Sequence, residues 1–203
     1  MKLHSSSKVA VCLIGVLVLS PFPLRAQATP TYSGQATALK ATALGISITL
    51  ADTGPLPATG GSITRDLPGI NVAGLLTASG LHTATSGSGN SSQSNTQLAS
   101  LSLNGLVRAT GISTSTTATC NGSTASTSGD TQFATLTIAG QQIVNANPNL
   151  AISLPGGVAV IVNEQTSSGN GGNAAQTTVN ALHITAPGAD VVVGSSHSDI
   201  TCP

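Results

Sequence analysis

The strongest constraint on this chain is a run near its middle whose side chains alternate with a period of two. Ala99, Leu101, Leu103, Gly105, Val107 and Ala109 fall on one side, and Ser100, Ser102, Asn104, Arg108 and Thr110 on the other. Successive side chains of a β-strand point to opposite faces, so a run with one apolar face reads as a half-buried strand. Here it reads as one long strand with a kink or bulge at Gly105. The same alternation recurs at Ile46, Ile48 and Leu50, at Leu150, Ile152 and Leu154, and at Val158, Val160, Val162 and Glu164. Residues 62–67, 131–138, 179–185 and 191–193 read as further strands. Turn signals follow at Pro155-Gly156-Gly157 and Pro187-Gly188. Residues 72–81 have helical spacing at Val72, Leu75, Leu76 and Ser79. Gly74, Gly80 and the hydroxyl residues among them weigh against a helix, so strand is the better reading.

Three stretches lack an apolar period. Residues 85–96 and 166–175 are rich in Ser, Gly and Asn and read as loops, and residues 111–129 form a Ser/Thr tract around Cys120. The expected fold is therefore all-β: a single-domain antiparallel β-sandwich with hairpin or Greek-key connections and roughly ten strands. The alternative is a β-solenoid, but LKATALGIS and LVRATGIST give only one faint echo, which is not a period. Only 1% of residues are aromatic and 6% charged. Any core must then be aliphatic and thin, and small residues should let two sheets lie close together.

Lys2 and Lys8 precede an apolar run over residues 9–19, and Ala26-Gln27-Ala28 is a small-x-small site. This is the pattern of a secretory signal peptide, residues 1–28, followed by a domain over residues 29–203. The run is shorter than the roughly 20 residues of a membrane span. Cys12 would leave with the leader. The expected destination is outside the cell.

After the leader the cations are Lys40, Arg65 and Arg108, and the acids are Asp52, Asp66, Asp130, Glu164, Asp190 and Asp199. No basic patch exists, which argues against a nucleic-acid partner. An extracellular surface or protein partner is left open. Cys120 and Cys202 are the two cysteines beyond the leader, and in an exported chain they read as a disulfide. Glu164 continues the face of Val158, Val160 and Val162. An inward carboxylate needs a partner, and Arg108 is the favoured one; the alternative is exposure beyond the sheet edge.

Recognisable chemistry is sparse. His82, His183 and His197 are isolated, without the close pairs of a zinc site, so no metal or cofactor is expected. There is no G-x-S-x-G elbow and no S-x-x-K. Ser195-Ser196-His197-Ser198-Asp199 invites a triad, but neighbours on a strand face opposite ways. LPATG at residues 56–60 matches the sortase recognition pattern, yet no hydrophobic segment with a basic tail follows, so it reads as a turn. GNGGN at residues 169–173 lacks the aspartates of a calcium-binding repeat. Tyr32 and Phe133 are too few to form an obvious sugar platform. The expectation is a non-catalytic structural or adhesive module, not an enzyme. The alternatives are a hydrolase built from distant Ser, His and Asp residues, and an ice- or surface-binding protein using the Ser/Thr tract.

ISLPGGVAVIVNEQ, TTVNALHIT and GADVVVGSSHSDITC resemble segments of choice-of-anchor P family proteins. ATCNGSTASTSG around Cys120 and the strand over residues 98–110 are similar too. The resemblance implies a secreted or surface bacterial domain and no catalytic residues. The chain ends at Cys202-Pro203, so free secretion is expected over anchoring.

Overall fold

A computed structural model describes residues 29–72 and 75–203; the expected leader lies outside the described residues. The described chain forms thirteen strands: β1 (Thr31–Ala43), β2 (Ile46–Asp52), β3 (Gly61–Val72), β4 (Leu76–Ser88), β5 (Ser91–Leu103), β6 (Val107–Asn121), β7 (Thr124–Gln132), β8 (Thr135–Ile138), β9 (Gln141–Gln142), β10 (Leu150–Leu154), β11 (Val158–Ser168), β12 (Ala174–Ala186) and β13 (Ala189–Thr201). One sheet runs β10-β11-β12-β13-β1-β2, the other β3-β4-β5-β6-β8-β9, with β7 also paired to β6. All pairings are antiparallel. The sheets pack face to face, β1 and β13 over β4, β5 and β6, and β12 over β6 and β7. This is the β-sandwich that the alternation implied, not a solenoid. Hairpins make most of the connections. The chain changes sheet at residues 53–60, and again at residues 143–149.

Four segments differ from the reading of the sequence. The run over residues 99–109 is a hairpin, not one kinked strand. Asn104 and Gly105 both take positive φ, 42° and 66°, and turn β5 into β6. Residues 85–96 belong to β4 and β5, residues 111–129 to the β6–β7 hairpin, and only the ends of residues 166–175, at 166–168 and 174–175, to β11 and β12, while 169–173 form the expected loop. Many of their inward residues, among them Thr85, Ser92, Ser94, Thr96, Thr114 and Thr116, are hydroxyls instead of aliphatics, which hides the alternation from a hydrophobicity pattern.

A row of kinks crosses each sheet and explains where the hydroxyls go. In the first sheet Ala51 (φ 46°), Gly194 (φ 61°) and Asn163 (φ 52°) are left-handed, and on the intervening strands Ala38 and Ala181 lie opposite Gly194. In the second sheet the row contains Gly80 and Gly111, with Ala99 between them. At each kink the inward parity slips by one residue. On β4 it passes from Leu76 and Ala78 to Leu81, Thr83 and Thr85; on β13 it passes from Val193 to Ser196, Ser198 and Ile200.

The kinks divide the interior. On one side lies an aliphatic core that includes Leu39, Leu101, Val107, Leu136, Ile138, Val160, Val162, Leu182 and Val193. On the other, buried hydroxyls join the sheets. Ser94 Oγ donates to the His197 carbonyl at 2.6 Å and Thr96 Oγ1 to the Ser195 carbonyl at 2.9 Å. Thr114 Oγ1 meets Ser196 Oγ at 2.7 Å, and Thr116 Oγ1 meets Ser198 Oγ at 2.8 Å. Beyond them a small cluster of Tyr32, Leu56, Ala118, Ala125, Ala175 and Ile200 surrounds the Cys120–Cys202 disulfide, whose Cα atoms are 5.6 Å apart. Cys120 belongs to one sheet and Cys202 follows the last strand of the other, so the bond fastens the hydroxyl end. Leu56 of the LPATG turn is buried in this cluster, and its N–H donates to the Gly34 carbonyl at 2.7 Å.

Candidate functional site

The three histidines test the catalytic alternative. His82 Nδ1 lies 2.6 Å from Asp66 Oδ1 on an exposed part of β4. His183 is held from both sides, by Glu164 at Nδ1 (3.0 Å) and by Asp190 at Nε2 (2.9 Å). Burial would lower this imidazole's pKa, but the bonds to Glu164 and Asp190 and their charges outweigh it, and the net shift is upward. His197 Nδ1 lies 2.9 Å from Thr178 Oγ1. Ser195, His197 and Asp199 do share the outer face of β13. Alternate residues on a strand stand about 6.6 Å apart, and no hydrogen bond links these three side chains among the described residues. Burial pushes the Asp199 carboxyl up, partly offset by the charge of His197. Among the described residues no histidine therefore joins an acid to a serine hydroxyl.

Glu164 is where expectation and structure part. The kink at Asn163 turns Glu164 to the outer face, where His183 and Asn180 bind it, the latter donating Nδ2–H to Oε2 at 2.6 Å. Arg108 projects from the opposite outer face, between buried Val107 and Ala109. Two layers of sheet separate them, so the expected Glu164–Arg108 pair is corrected to a Glu164–His183 pair. Among the described residues no group of three or more His, Cys, Asp or Glu side chains is placed to hold a metal ion. His183 shows why: its carboxylate partners sit on opposite ring nitrogens and cannot share one ion.

Two concave regions among the described residues bear on a binding role. The first lies on the outer face of the first sheet, along its kinks, with a volume of about 320 Å³. Cross-strand pairing places Asp52, Thr37, Ser195, Asn180 and Glu164 in one row there. Burial would raise the Asp52 carboxyl's pKa, but hydrogen bonds from Gln35, the Gly54 N–H and Thr37, with the charge of Lys40, bring it below the usual value. Its lining is already cross-linked: Gln35 and Thr37 bind Asp52, and Thr178 binds His197.

The second is larger, about 680 Å³, and opens at the side of the sandwich. It lies between residues 129–136 of the second sheet and the crossing segment 143–149, with Asn163 and Gln165 of β11 behind. Asn163 Nδ2 donates to the Ala146 carbonyl at 2.9 Å, and Gln165 Nε2 donates to Asn163 Oδ1 at 2.8 Å. Asn149 Oδ1 accepts from the Gln165 N–H at 2.8 Å. This amide network anchors the crossing segment to β11 and fixes the far wall. The sequence reading missed it. Its signal was NANPN at residues 145–149, which concentrates amides beside a proline, together with an Asn interrupting the β11 valines.

Comparison with family models, curated proteins and solved structures finds no match. No helix among the described residues is long and apolar enough to cross a membrane.

Proposed function

We propose that this is an exported, non-catalytic β-sandwich module with a structural or adhesive role. The observation that carries the reading is that, among the described residues, no histidine bridges an acid and a nucleophile. His183 has both ring nitrogens taken by carboxylates, and although His82 and His197 keep Nε2 free, with Asp66 and Thr178 at Nδ1, neither ring is hydrogen-bonded to a serine hydroxyl. A disulfide suits an oxidising compartment, and the resemblance to choice-of-anchor P proteins points the same way. The Ser/Thr tract gives little support to an ice-binding face. Thr114 and Thr116 are buried between the sheets, leaving Ser113, Ser115, Thr117 and Thr119 outward. The test has two parts. Amino-terminal sequencing of exported protein should begin at Thr29. The same protein should show no turnover of p-nitrophenyl esters or casein above buffer. Turnover abolished by His183→Gln or His197→Gln would overturn the reading.

A further inference from the structure

We propose that the side cavity binds a neutral carbohydrate, which gives the adhesive form of the reading above a ligand class and rests on it. Its volume, about 680 Å³, is that of a small-molecule site. Gln142, Asn145 and Asn147 line it, are exposed, and make no side-chain hydrogen bond among the described residues. A free carboxamide offers one acceptor and two donors, which matches adjacent hydroxyls that both give and accept.

The remaining walls narrow the class. Half-buried Phe133 lies on the cavity, and Val144, 82% exposed, stands at the same opening. Together they offer an apolar surface to the C–H face of a sugar ring. No Lys or Arg lines the cavity, and Asp130 does. An anionic ligand such as a nucleotide or a uronic acid would meet repulsion without compensation. One carboxylate is too few for a divalent cation. The three free amides all belong to the stretch 142–147 on one wall, and Phe133 belongs to the wall formed by residues 129–136, so a ligand with hydroxyls on its edge and C–H groups on its face can meet both.

The test uses the exported, disulfide-bonded protein in isothermal titration. The probes are hexasaccharides of α-1,4-glucose, β-1,4-glucose, β-1,4-mannose, β-1,4-xylose and β-1,4-N-acetylglucosamine. Oligogalacturonate and an unstructured Gly/Ser/Asn peptide are included as competing classes. At least one neutral hexasaccharide is expected to bind. Phe133→Ala and Asn147→Ala should each weaken it by about fivefold or more, the equivalent of one good contact. His197→Gln, in the other cleft, should leave it unchanged. Phe133 also packs on the core; if its variant does not fold, exposed Asn147 carries the test alone. Absence of binding by every neutral sugar overturns the proposal. So does binding that Asn147→Ala leaves intact, or equal or tighter binding of the acidic sugar or the peptide. New reducing ends released from a bound sugar would uphold the site while overturning the non-catalytic reading.

Discussion

Ser196→Ala probes the hydroxyl seam directly. Ser196 is fully buried, and its Oγ meets Thr114 Oγ1 at 2.7 Å, with Thr96 Oγ1 and the Thr114 carbonyl farther off at 3.3 and 3.4 Å. Alanine removes the hydroxyl and leaves Thr114 Oγ1 without its partner between two sheets. An orphaned buried hydroxyl costs about 1–3 kcal/mol. With a urea dependence of about 2 kcal/mol per molar, the midpoint should fall by about 0.5–1.5 M. Thr114→Val should cost less, about 1 kcal/mol, because Ser196 retains its two longer contacts. In the double variant both hydroxyls are gone and neither is orphaned. It should therefore resemble the worse single variant, with a coupling of about 1 kcal/mol. Urea unfolding followed by circular dichroism, with the disulfide intact throughout, measures all four proteins. Additive losses, or a Ser196→Ala cost below about 0.5 kcal/mol, would refute the idea that these hydroxyls hold the sheets together.

Replacing Cys120 and Cys202 together by alanine frees a loop closed over a separation of 82 residues; the chain-entropy relation sets the loss at about 4.5 kcal/mol, measurable as a urea-midpoint shift that reductant reproduces in the wild type. Gly194→Ala should destabilise by at least about 1 kcal/mol in the same assay, the lower bound for an L-residue in left-handed backbone; its φ is 61° and a Cβ there would lie 3.1 Å from that of Ala181. His183 gives a pH signature. Its folded pKa lies above the ordinary 6.5, so its charged form stabilises the fold. That contribution is full below the unfolded value and is lost as pH rises through the folded one. The stability margin of wild type over His183→Gln should therefore shrink between pH 5 and 8, and a constant margin would count against the clasp.

The sandwich was legible wherever the inward residues are aliphatic. Val158, Val160 and Val162 announce a strand because each meets the core, and Pro155-Gly156-Gly157 announces its turn. The disulfide was legible by elimination. What escaped was the half of the fold whose inward residues are Ser94, Thr96, Thr114, Thr116, Ser196 and Ser198. A hydroxyl on a strand carries the same sequence signal in water as in the interior, so period two without hydrophobic contrast reads as a loop. Asn104-Gly105 was a hairpin signal in plain view. It was lost because the apolar alternation runs through the turn without breaking phase.

The Glu164 error has a more general cause. Alternation assigns faces by counting, and counting holds only while every residue is extended. A single left-handed residue slips the count by one, which is what Asn163 does on β11 and Gly194 on β13. Every position beyond the kink then changes face, and an inward carboxylate becomes an outward one. Glycine at such a place is a visible warning, but Ala51 and Asn163 are not. The kinks also join the two halves of the interior. Below them aliphatic side chains exclude water and need no partners. Above them small hydroxyls satisfy one another and the carbonyls of the facing strand, which closes the gap that a chain with so few aromatics could not fill. A Gly at position 34, where a Cβ would collide with Thr85 Oγ1, shows how close that approach is. The low aromatic content is thus a condition of the architecture. A Phe or Trp in the seam would hold the sheets apart and leave Ser94, Thr96 and Thr114 without the partners they now reach.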